Sequence, residues 1–223
     1  ELAPSPYGAV GAKNESEEYN GTSWAEGNNV NTARVDVGGA GTQTAGLLIS
    51  GNTQSPNALK TEVESYDGTS WSEVGDVNSA VDRISSQSGG TQDIAIKVSG
   101  RVGLGDPNPR TANVEQWDGT SWAEVTDVPT ATRGAAIAEI QTSAVLAGGY
   151  STKYASEAYD YDGTNWTEEA NINTARHNLC GAGIQTSTLI FAGDEPPSTG
   201  KTESYDGSAW TEVADLSTAR IVA

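Results

Sequence analysis

Four short apolar runs, each closed by a glycine, divide the chain into repeated segments. The runs cover residues 47–49, 94–96, 144–147 and 189–191, and the glycines are Gly51, Gly100, Gly148 and Gly193. Their hydrophobicity is continuous rather than alternating, which predicts strands buried on both faces. A segment rich in glycine and alanine precedes each run, as in residues 34–41 and 176–183. Such small residues are typical of strands whose backbones approach closely.

An aromatic hexapeptide follows each run and predicts a hairpin. It is Tyr-Asp-Gly-Thr-Ser-Trp at 66–71, and related copies stand at 19–24, 117–122, 161–166 and 205–210. Asp-Gly or Asn-Gly between aromatic segments is the strongest short-range hairpin signal, because both central residues are expected to adopt positive φ. A fourth strand then begins at the last tryptophan and carries a glutamate two residues on: Glu26, Glu73, Glu124, Glu168 and Glu212.

The spacing of these markers predicts one repeat domain over residues 1–223. Successive tryptophans of the hexapeptide lie 47, 51, 44 and 44 residues apart. This period fits four short strands per unit, the length of a propeller blade. The predicted fold is an all-β, five-bladed β-propeller of four-stranded antiparallel blades.

The two ends of the chain are expected to close this ring. Residues 1 to about 30 carry the later part of a unit, and residues 217–223 carry the start of one. Joined, they would form a fifth blade, with the C-terminal strand pairing with the N-terminal partial blade and removing the open edge. Pro4 and Pro6 fit poorly into the second strand of that blade.

Composition narrows the partners and the chemistry. The formal net charge is −18, from 30 acidic and 12 basic residues, which disfavours nucleic acid and anionic membrane surfaces. No apolar run is long enough to insert into a membrane. Cys180 is the only cysteine, so neither an intrachain disulfide nor a thiolate metal cluster is expected. Because the chain has no methionine, we expect a processed chain or part of a longer protein.

Four features of each unit together resemble the kelch repeat of β-propellers. The best copy consists of Gly148-Gly149, Tyr161-Asp162, Trp166 and Arg176, whereas the double glycine becomes Ser50-Gly51, Ser99-Gly100 and Ala192-Gly193 elsewhere. The near-identical hexapeptides look most like kelch-like arrays of phage virion and tail-associated proteins. This resemblance implies a binding or scaffolding module with an extracellular or virion location, and it fixes no reaction.

Five arginines form the most regular polar feature and are the candidate ligand-binding residues. Each follows a hexapeptide tryptophan by 10 to 12 residues: Arg34, Arg83, Arg133, Arg176 and Arg220. They could converge on the central channel and bind an anion or an acidic sugar. Alternatively, each could pair with a glutamate of the Trp-x-Glu element and join adjacent blades, which is the interpretation that the repetition favours.

Other residues have a structural and a functional interpretation. The tryptophans could stack on sugars, but their fixed place beside a hairpin favours packing against the next blade. Asp160 and Asp162 form a fragment of a calcium loop, although the later ligands are missing and a turn is favoured. His177, the only histidine, is expected to be packed or to line solvent rather than to act as a base, and Cys180 is expected to be small and buried.

These observations predict a non-enzymatic structural or adhesive module with no catalytic residue, metal or cofactor. Its expected partners are other structural proteins, copies of itself and surface glycans, contacted through the blade loops. A lectin with one site per blade is the first alternative. A carboxylate-dependent glycoside hydrolase is the second, since the acidic residues offer many pairs.

Overall fold

The computed structural model describes residues 11–84, 88–104 and 109–221, and all its strands belong to antiparallel sheets. An N-terminal hairpin pairs β1 (Glu17–Tyr19) with β2 (Trp24–Glu26). Four meandering four-stranded sheets follow. Blade 1 contains β3 (Gly38–Thr42), β4 (Ala45–Ile49), β5 (Val63–Tyr66) and β6 (Trp71–Glu73), and blade 2 contains β7 (Ser88–Gly90), β8 (Ala95–Val98), β9 (Val114–Trp117) and β10 (Trp122–Val125). Blade 3 contains β11 (Ala136–Ile140), β12 (Ser143–Ala147), β13 (Ala158–Tyr161) and β14 (Trp166–Glu168), and blade 4 contains β15 (Cys180–Ile184), β16 (Ser187–Phe191), β17 (Thr202–Tyr205) and β18 (Trp210–Glu212).

The four sheets are arranged as blades of a β-propeller. The first strand of each blade contacts the first strand of the next, from β3 through β7 and β11 to β15. The prediction of an all-β propeller with four-stranded antiparallel blades is therefore confirmed for four blades. The remaining sheet has two strands. Of the segments predicted to complete it, residues 1–10 and 222–223 lie outside the described residues, and residues 217–221 form no strand, so the predicted closure by the C-terminal strand is not seen in the described part of the chain.

The hydrophobic core lies between neighbouring blades. One cluster joins Ile96 and Val98 of blade 2 to Ile137 and Leu146 of blade 3, and similar clusters join blade 1 to 2 and blade 3 to 4. Strand β8 is buried along its whole length, as its continuous hydrophobicity predicts. Strand β16 alternates instead, and its Leu189 is 43% exposed, because this face of blade 4 has no complete described blade beside it.

The hexapeptide forms the predicted hairpin, but by a different turn. Tyr66 pairs with Trp71, so four residues form the loop. The carboxylate of Asp67 accepts hydrogen bonds from the backbone N–H groups of Thr69 and Ser70, both at 2.8 Å. Only Gly68 has a positive φ, 88°, so the expectation of two such residues is wrong. The aspartate is required as an acceptor rather than for its backbone conformation.

The Gly-Gly element after each second strand is a pair of left-handed residues. Ser50 and Gly51 have φ angles of 57° and 103°. A Cβ at Gly51 would approach the Val35 carbonyl oxygen to 2.8 Å, so this position excludes side chains. The first position admits serine, and the Ser50 Oγ lies 2.6 and 2.7 Å from the carbonyl oxygens of Lys60 and Val81, which share its single hydroxyl proton. These bonds offset the backbone strain and tie blade 1 to the next connection.

A glutamine in the turn after the first strand also joins neighbouring blades. Gln92 of blade 2 donates from Nε2 to the Tyr66 carbonyl oxygen of blade 1 at 2.7 Å. Gln185 of blade 4 makes the equivalent bond to the Tyr161 carbonyl oxygen of blade 3 at 3.2 Å. The repeated glutamine therefore satisfies the last carbonyl of a third strand before its hairpin.

A buried glutamate in the third strand holds the connection that leads into its blade. In blade 1 the Glu64 carboxylate accepts from the Asn31 backbone N–H at 2.6 Å and from Arg34 Nη2 at 2.7 Å. The Asn31 amide and the Thr32 backbone N–H bond to the same carboxylate. Glu64 is 1% exposed, so its charge is compensated inside the protein. We call this carboxylate with its connecting segment the interblade lock.

The interblade lock recurs with altered chemistry in the other blades. Blade 4 repeats it with Asn173, Thr174, Arg176 and Glu203. In blade 2 the cation is Lys97 of β8, whose Nζ lies 2.6 Å from Glu115 Oε1. Blade 3 has a neutral version, in which the hydroxyls of Thr130 and Tyr159 lie 3.0 Å apart. The predicted pairing of arginines with Trp-x-Glu glutamates is thus wrong for Arg34 and Arg176, whose partners stand in the third strand.

We predict that Glu203→Gln lowers the free energy of unfolding by about 3–5 kcal/mol, because it leaves the Arg176 charge buried without its counterion. Urea denaturation measures the change. The control is Glu212→Gln, since Glu212 is the exposed cross-strand neighbour of Glu203; its expected effect is within about 0.5 kcal/mol. Equal effects of the two substitutions would contradict the lock.

Candidate functional site

The backbone hydrogen bonds between blades define which residues are equivalent in the repeats. The N–H of Gly51 donates to the Val81 carbonyl oxygen, Gly100 to Thr132, Gly149 to Arg176 and Gly193 to Arg220. Val81, Thr132, Arg176 and Arg220 therefore occupy one position. By this register Arg83 lies two residues beyond the repeated place, and Arg133 lies one residue beyond it.

The five predicted ligand-binding arginines consequently have different environments. Arg34 and Arg176 are buried in interblade locks. Arg220 is exposed, and its Nε donates to the Thr218 carbonyl oxygen at 3.4 Å. Arg83 and Arg133 lie at the end of the propeller axis where the first strands begin. The ligand-binding role of the five arginines stays a prediction. The geometry favours Arg83 and Arg133 as the candidates for that role.

Non-repeated polar and aromatic side chains gather at this axial end. Two bridged positions per blade carry different residues in each repeat, the pairs being Val35 with Asn52, Asp82 with Arg101, Arg133 with Tyr150 and His177 with Asp194. A third position adopts φ between 51° and 62° in all four blades and carries Asp36, Arg83, Gly134 and Asn178. We call the following residues the axial cluster: Asp36, Asp82, Arg83, Arg101, Arg110, Arg133, Tyr150, Tyr154, His177 and Asp194.

Two of the arginines in the axial cluster face aspartates. Arg101 donates from Nε to Asp82 Oδ1 at 2.6 Å and from Nη2 to Asp82 Oδ2. Asp82 is fully buried, and this two-pronged contact compensates its charge. Arg83 Nε lies 4.0 Å from Asp36 Oδ2. Burial and the neighbouring Asp82 raise the pKa of Asp36.

Arg133 differs from these arginines because no ion pair compensates its charge within the described residues. The residue is 8% exposed, and its Nε and Nη1 are buried without a hydrogen-bond partner. Burial and the charges of Arg83, Arg101 and Arg110 lower its pKa to about 10. Arg176 also has one such nitrogen, Nη2, but its charge is paired with Glu203. Arg133 is thus a buried cation beside other cations.

Aromatic rings form one wall beside Arg133. The Arg133 guanidinium carbon lies 4.9 Å from the Tyr150 ring centroid, and that of Arg110 lies 5.5 Å from it. His177 contacts Tyr150 and Tyr154, with centroids 5.7 and 5.0 Å apart. Burial lowers the pKa of His177, so its imidazole is neutral at pH 7. This wall combines hydrophobic faces with one unpaired cation.

The other sequence candidates lie away from the axial cluster. The Asp162 carboxylate accepts from the backbone N–H groups of Thr164 and Asn165, as the turn interpretation predicts. No group of three or more His, Cys, Asp or Glu able to hold a metal occurs in the part of the chain that the structure describes. Cys180 is half-buried, so the expectation of a buried cysteine is met in part.

The hairpin tryptophans pack mainly on the tyrosines opposite them. Trp71, Trp166 and Trp210 stack on their hairpin partners at 4.6 to 4.9 Å between centroids. Trp166 also donates from Nε1 to the Thr126 carbonyl oxygen, so its interblade contact is with the preceding blade rather than with the next one that the sequence predicts. Trp24 of the N-terminal hairpin is 67% exposed.

The sequence contained a signal for the axial cluster that the linear alignment missed. The residue after the Gly-Gly element differs in every copy, being Asn52, Arg101, Tyr150 and Asp194. In a repeat fold, such variation at one fixed place marks a position that the frame does not require. If the repeats are instead aligned on the five arginines, His177 matches Ile84, whereas the backbone bridges match it with Asp82.

Comparisons with known proteins leave the geometry as the basis for function. A scan against models of protein families found no match to this sequence, and a search of curated proteins found none either. Within the described ranges, no helix has the length and apolar character needed to cross a membrane.

We predict that Arg133→Met leaves the free energy of unfolding unchanged or raises it by up to about 1 kcal/mol, because it removes an uncompensated buried charge. The matched substitution Arg176→Met should lower it by about 3–5 kcal/mol, since it leaves Glu203 unpaired. Urea denaturation of both variants provides the comparison. A large loss in Arg133→Met would instead assign this arginine to the frame.

Proposed function

We propose that this chain is a non-enzymatic binding module that contacts a protein or glycan partner through the axial end of the propeller. The observation that carries the proposal is the axial cluster, where residues that differ between repeats are gathered at one place. Residues needed to build a repeat fold recur in each unit, as the interblade lock does. Side chains that break the repetition and yet converge are best explained by a ligand.

A single axial site is favoured over one equivalent site in each blade. The repeated aromatic residues are used in packing, since Trp71, Trp166 and Trp210 stack on tyrosines of their own hairpins. The cluster has a lone neutral imidazole and no grouping of acids around a nucleophile, which supports binding rather than turnover. The sequence resemblance and the net charge of −18 support a structural or adhesive role in a virion or another extracellular assembly.

The proposal includes a fifth blade that closes the ring. Its outer pair is the N-terminal hairpin, whose Tyr19–Trp24 register matches Tyr66–Trp71 of blade 1. In that register Glu17 stands where Glu64 carries the interblade lock. As the sequence predicts, the C-terminal segment, residues 217–223, would supply its innermost strand.

Blade 4 and the N-terminal hairpin, which would become neighbours in a closed ring, both support this closure. Gly193 donates to the Arg220 carbonyl oxygen at 2.9 Å, as Gly149 does to Arg176 at 2.8 Å. Arg220 therefore occupies the position that Arg176 has in the interblade lock of blade 4. Tyr19 is 44% exposed, whereas Tyr66 is 6% exposed. On the other side, Ile184, Leu189 and Val213 of blade 4 are exposed. Closure would bury apolar surface on each side.

We predict that Glu17→Gln lowers the free energy of unfolding by more than about 1 kcal/mol, because closure pairs Glu17 with Arg220 away from solvent. Glu26→Gln is the control, since Glu26 is exposed and directly opposite Glu17 in the hairpin. Urea denaturation measures both. If neither substitution changes stability, the ring is not closed through this pair.

Binding is tested on an array of neutral and acidic glycans with acidic and neutral peptides. We expect wild-type protein to bind a subset of the spots and Tyr154→Ala to lose at least about tenfold in signal, because the half-buried Tyr154 forms part of the axial wall. Thr164→Ala, in the exposed outer hairpin of the same blade, should bind like wild type. The bound ligand should be recovered with unchanged mass. Binding that is indifferent to Tyr154, or conversion of the ligand, would contradict the proposal.

A further inference from the structure

We infer that the axial cluster binds the carboxylate of an acidic sugar and that Arg133 is the residue that anchors it. This inference rests on the proposed binding function and names the chemistry of its ligand. Three features of the cluster carry it: its charge balance, the unpaired state of Arg133 and the aromatic wall.

The charge of Arg133 is not compensated by an ion pair within the described residues. Arg101 is bound to Asp82, and Arg83 lies beside Asp36. The neighbouring His177 is neutral at pH 7. A ligand with a single negative charge compensates Arg133, whereas a phosphate dianion would add a second charge next to buried carboxylates. A carboxylate is such a monoanion.

Arg133 is prepared to receive this group. Arg133 is 8% exposed, and its guanidinium carbon lies 4.9 Å from the Tyr150 ring centroid. Two nitrogens of the guanidinium group, Nε and Nη1, have no hydrogen-bond partner. Stacking on an aromatic face restricts the plane of the guanidinium, and a carboxylate can accept a charge-assisted hydrogen bond from one of these nitrogens. Burial of these donors is costly until an acceptor arrives, so the ligand gains a strong contact.

The aromatic wall favours a sugar over an extended peptide. Both Arg133 and Arg110 contact the Tyr150 ring, while Tyr154 and His177 pack at its side and Tyr154 stays half-buried. A pyranose ring presents a flat apolar face to such side chains while its carboxylate reaches the arginine. A peptide carboxylate lacks this second contact.

The first experiment follows the Arg133 Nε–Hε resonance of the ¹⁵N-labelled wild-type protein by NMR during titration with sodium glucuronate. We expect a saturable shift with glucuronate and none with methyl glucoside, which has the same ring without the carboxylate. Sodium sulfate and a blocked glutamate peptide are titrated in parallel. Both should bind at least about tenfold more weakly, because each lacks one of the two contacts.

The second experiment repeats the glucuronate titration by calorimetry with two variants. Arg133→Met should lose at least about tenfold in affinity, since charged hydrogen bonds are removed. Lys13→Gln, which changes the net charge equally but lies on the N-terminal segment with an exposed side chain, should bind like wild type. A folded Arg133→Met protein that keeps its affinity would overturn the anchoring role.

Three outcomes overturn the inference while leaving the proposed function testable. If glucuronate binds no more tightly than methyl glucoside, the carboxylate is not recognised. If sulfate binds as tightly as glucuronate, the cluster is a simple anion site. If the peptide binds more tightly, the ligand is not a sugar. If Tyr154-dependent array binding persists in any of these cases, the binding module stands and only its ligand class is wrong.

Discussion

The structure depends on a buried carboxylate in the third strand of a blade. Glu64, Glu115 and Glu203 are each at most 1% exposed, and a charge so placed must be compensated by the protein. The backbone N–H groups that compensate it belong to the connection leading into the same blade. The carboxylate therefore holds the connection between two blades, and through it the place at which the first strand of its own blade begins.

This fixed register explains how a repetitive frame produces one non-repetitive site. The Asn-Thr-Ala-Arg segment ends in the lock, and the following residue emerges at the axis, as His177 does after Arg176. Because each blade places a residue at the same position, Asp82, Arg133 and His177 are equivalent in the repeats although about 50 residues separate each from the next. The repeated strands and connections fix these axial positions, and the side chains at them can vary without disturbing the contacts of the interblade lock.

The sequence predicted the strands and the hairpins because their signals are local. Asp67, Gly68 and Trp71 act within one hairpin, so six residues contain the information. The lock is not local. Its cation comes from the connection in blade 4 but from Lys97 of β8 in blade 2, and blade 3 uses Tyr159. Because the partner of the third-strand residue comes from a different element in each blade, it has no fixed spacing along the sequence. The five arginines therefore appear equivalent in the sequence, although Arg83 and Arg133 lie beyond the repeated position. The axial cluster then stayed hidden, since its members appear only after the repeats are aligned by backbone hydrogen bonds.

Arg133 and Arg176 show how one residue type occupies two different buried environments. Both are buried, yet Arg176 meets Glu203, whereas Arg133 meets Tyr150 and other arginines. The protein's charge of −18 would repel an acidic ligand at a distance, but ions screen such surface charge beyond about 8 Å at physiological salt. At contact distance the desolvated cations of the axial cluster determine the field. In the proposed binding mode, the axial end is therefore the favourable place for one negative group on an otherwise acidic protein.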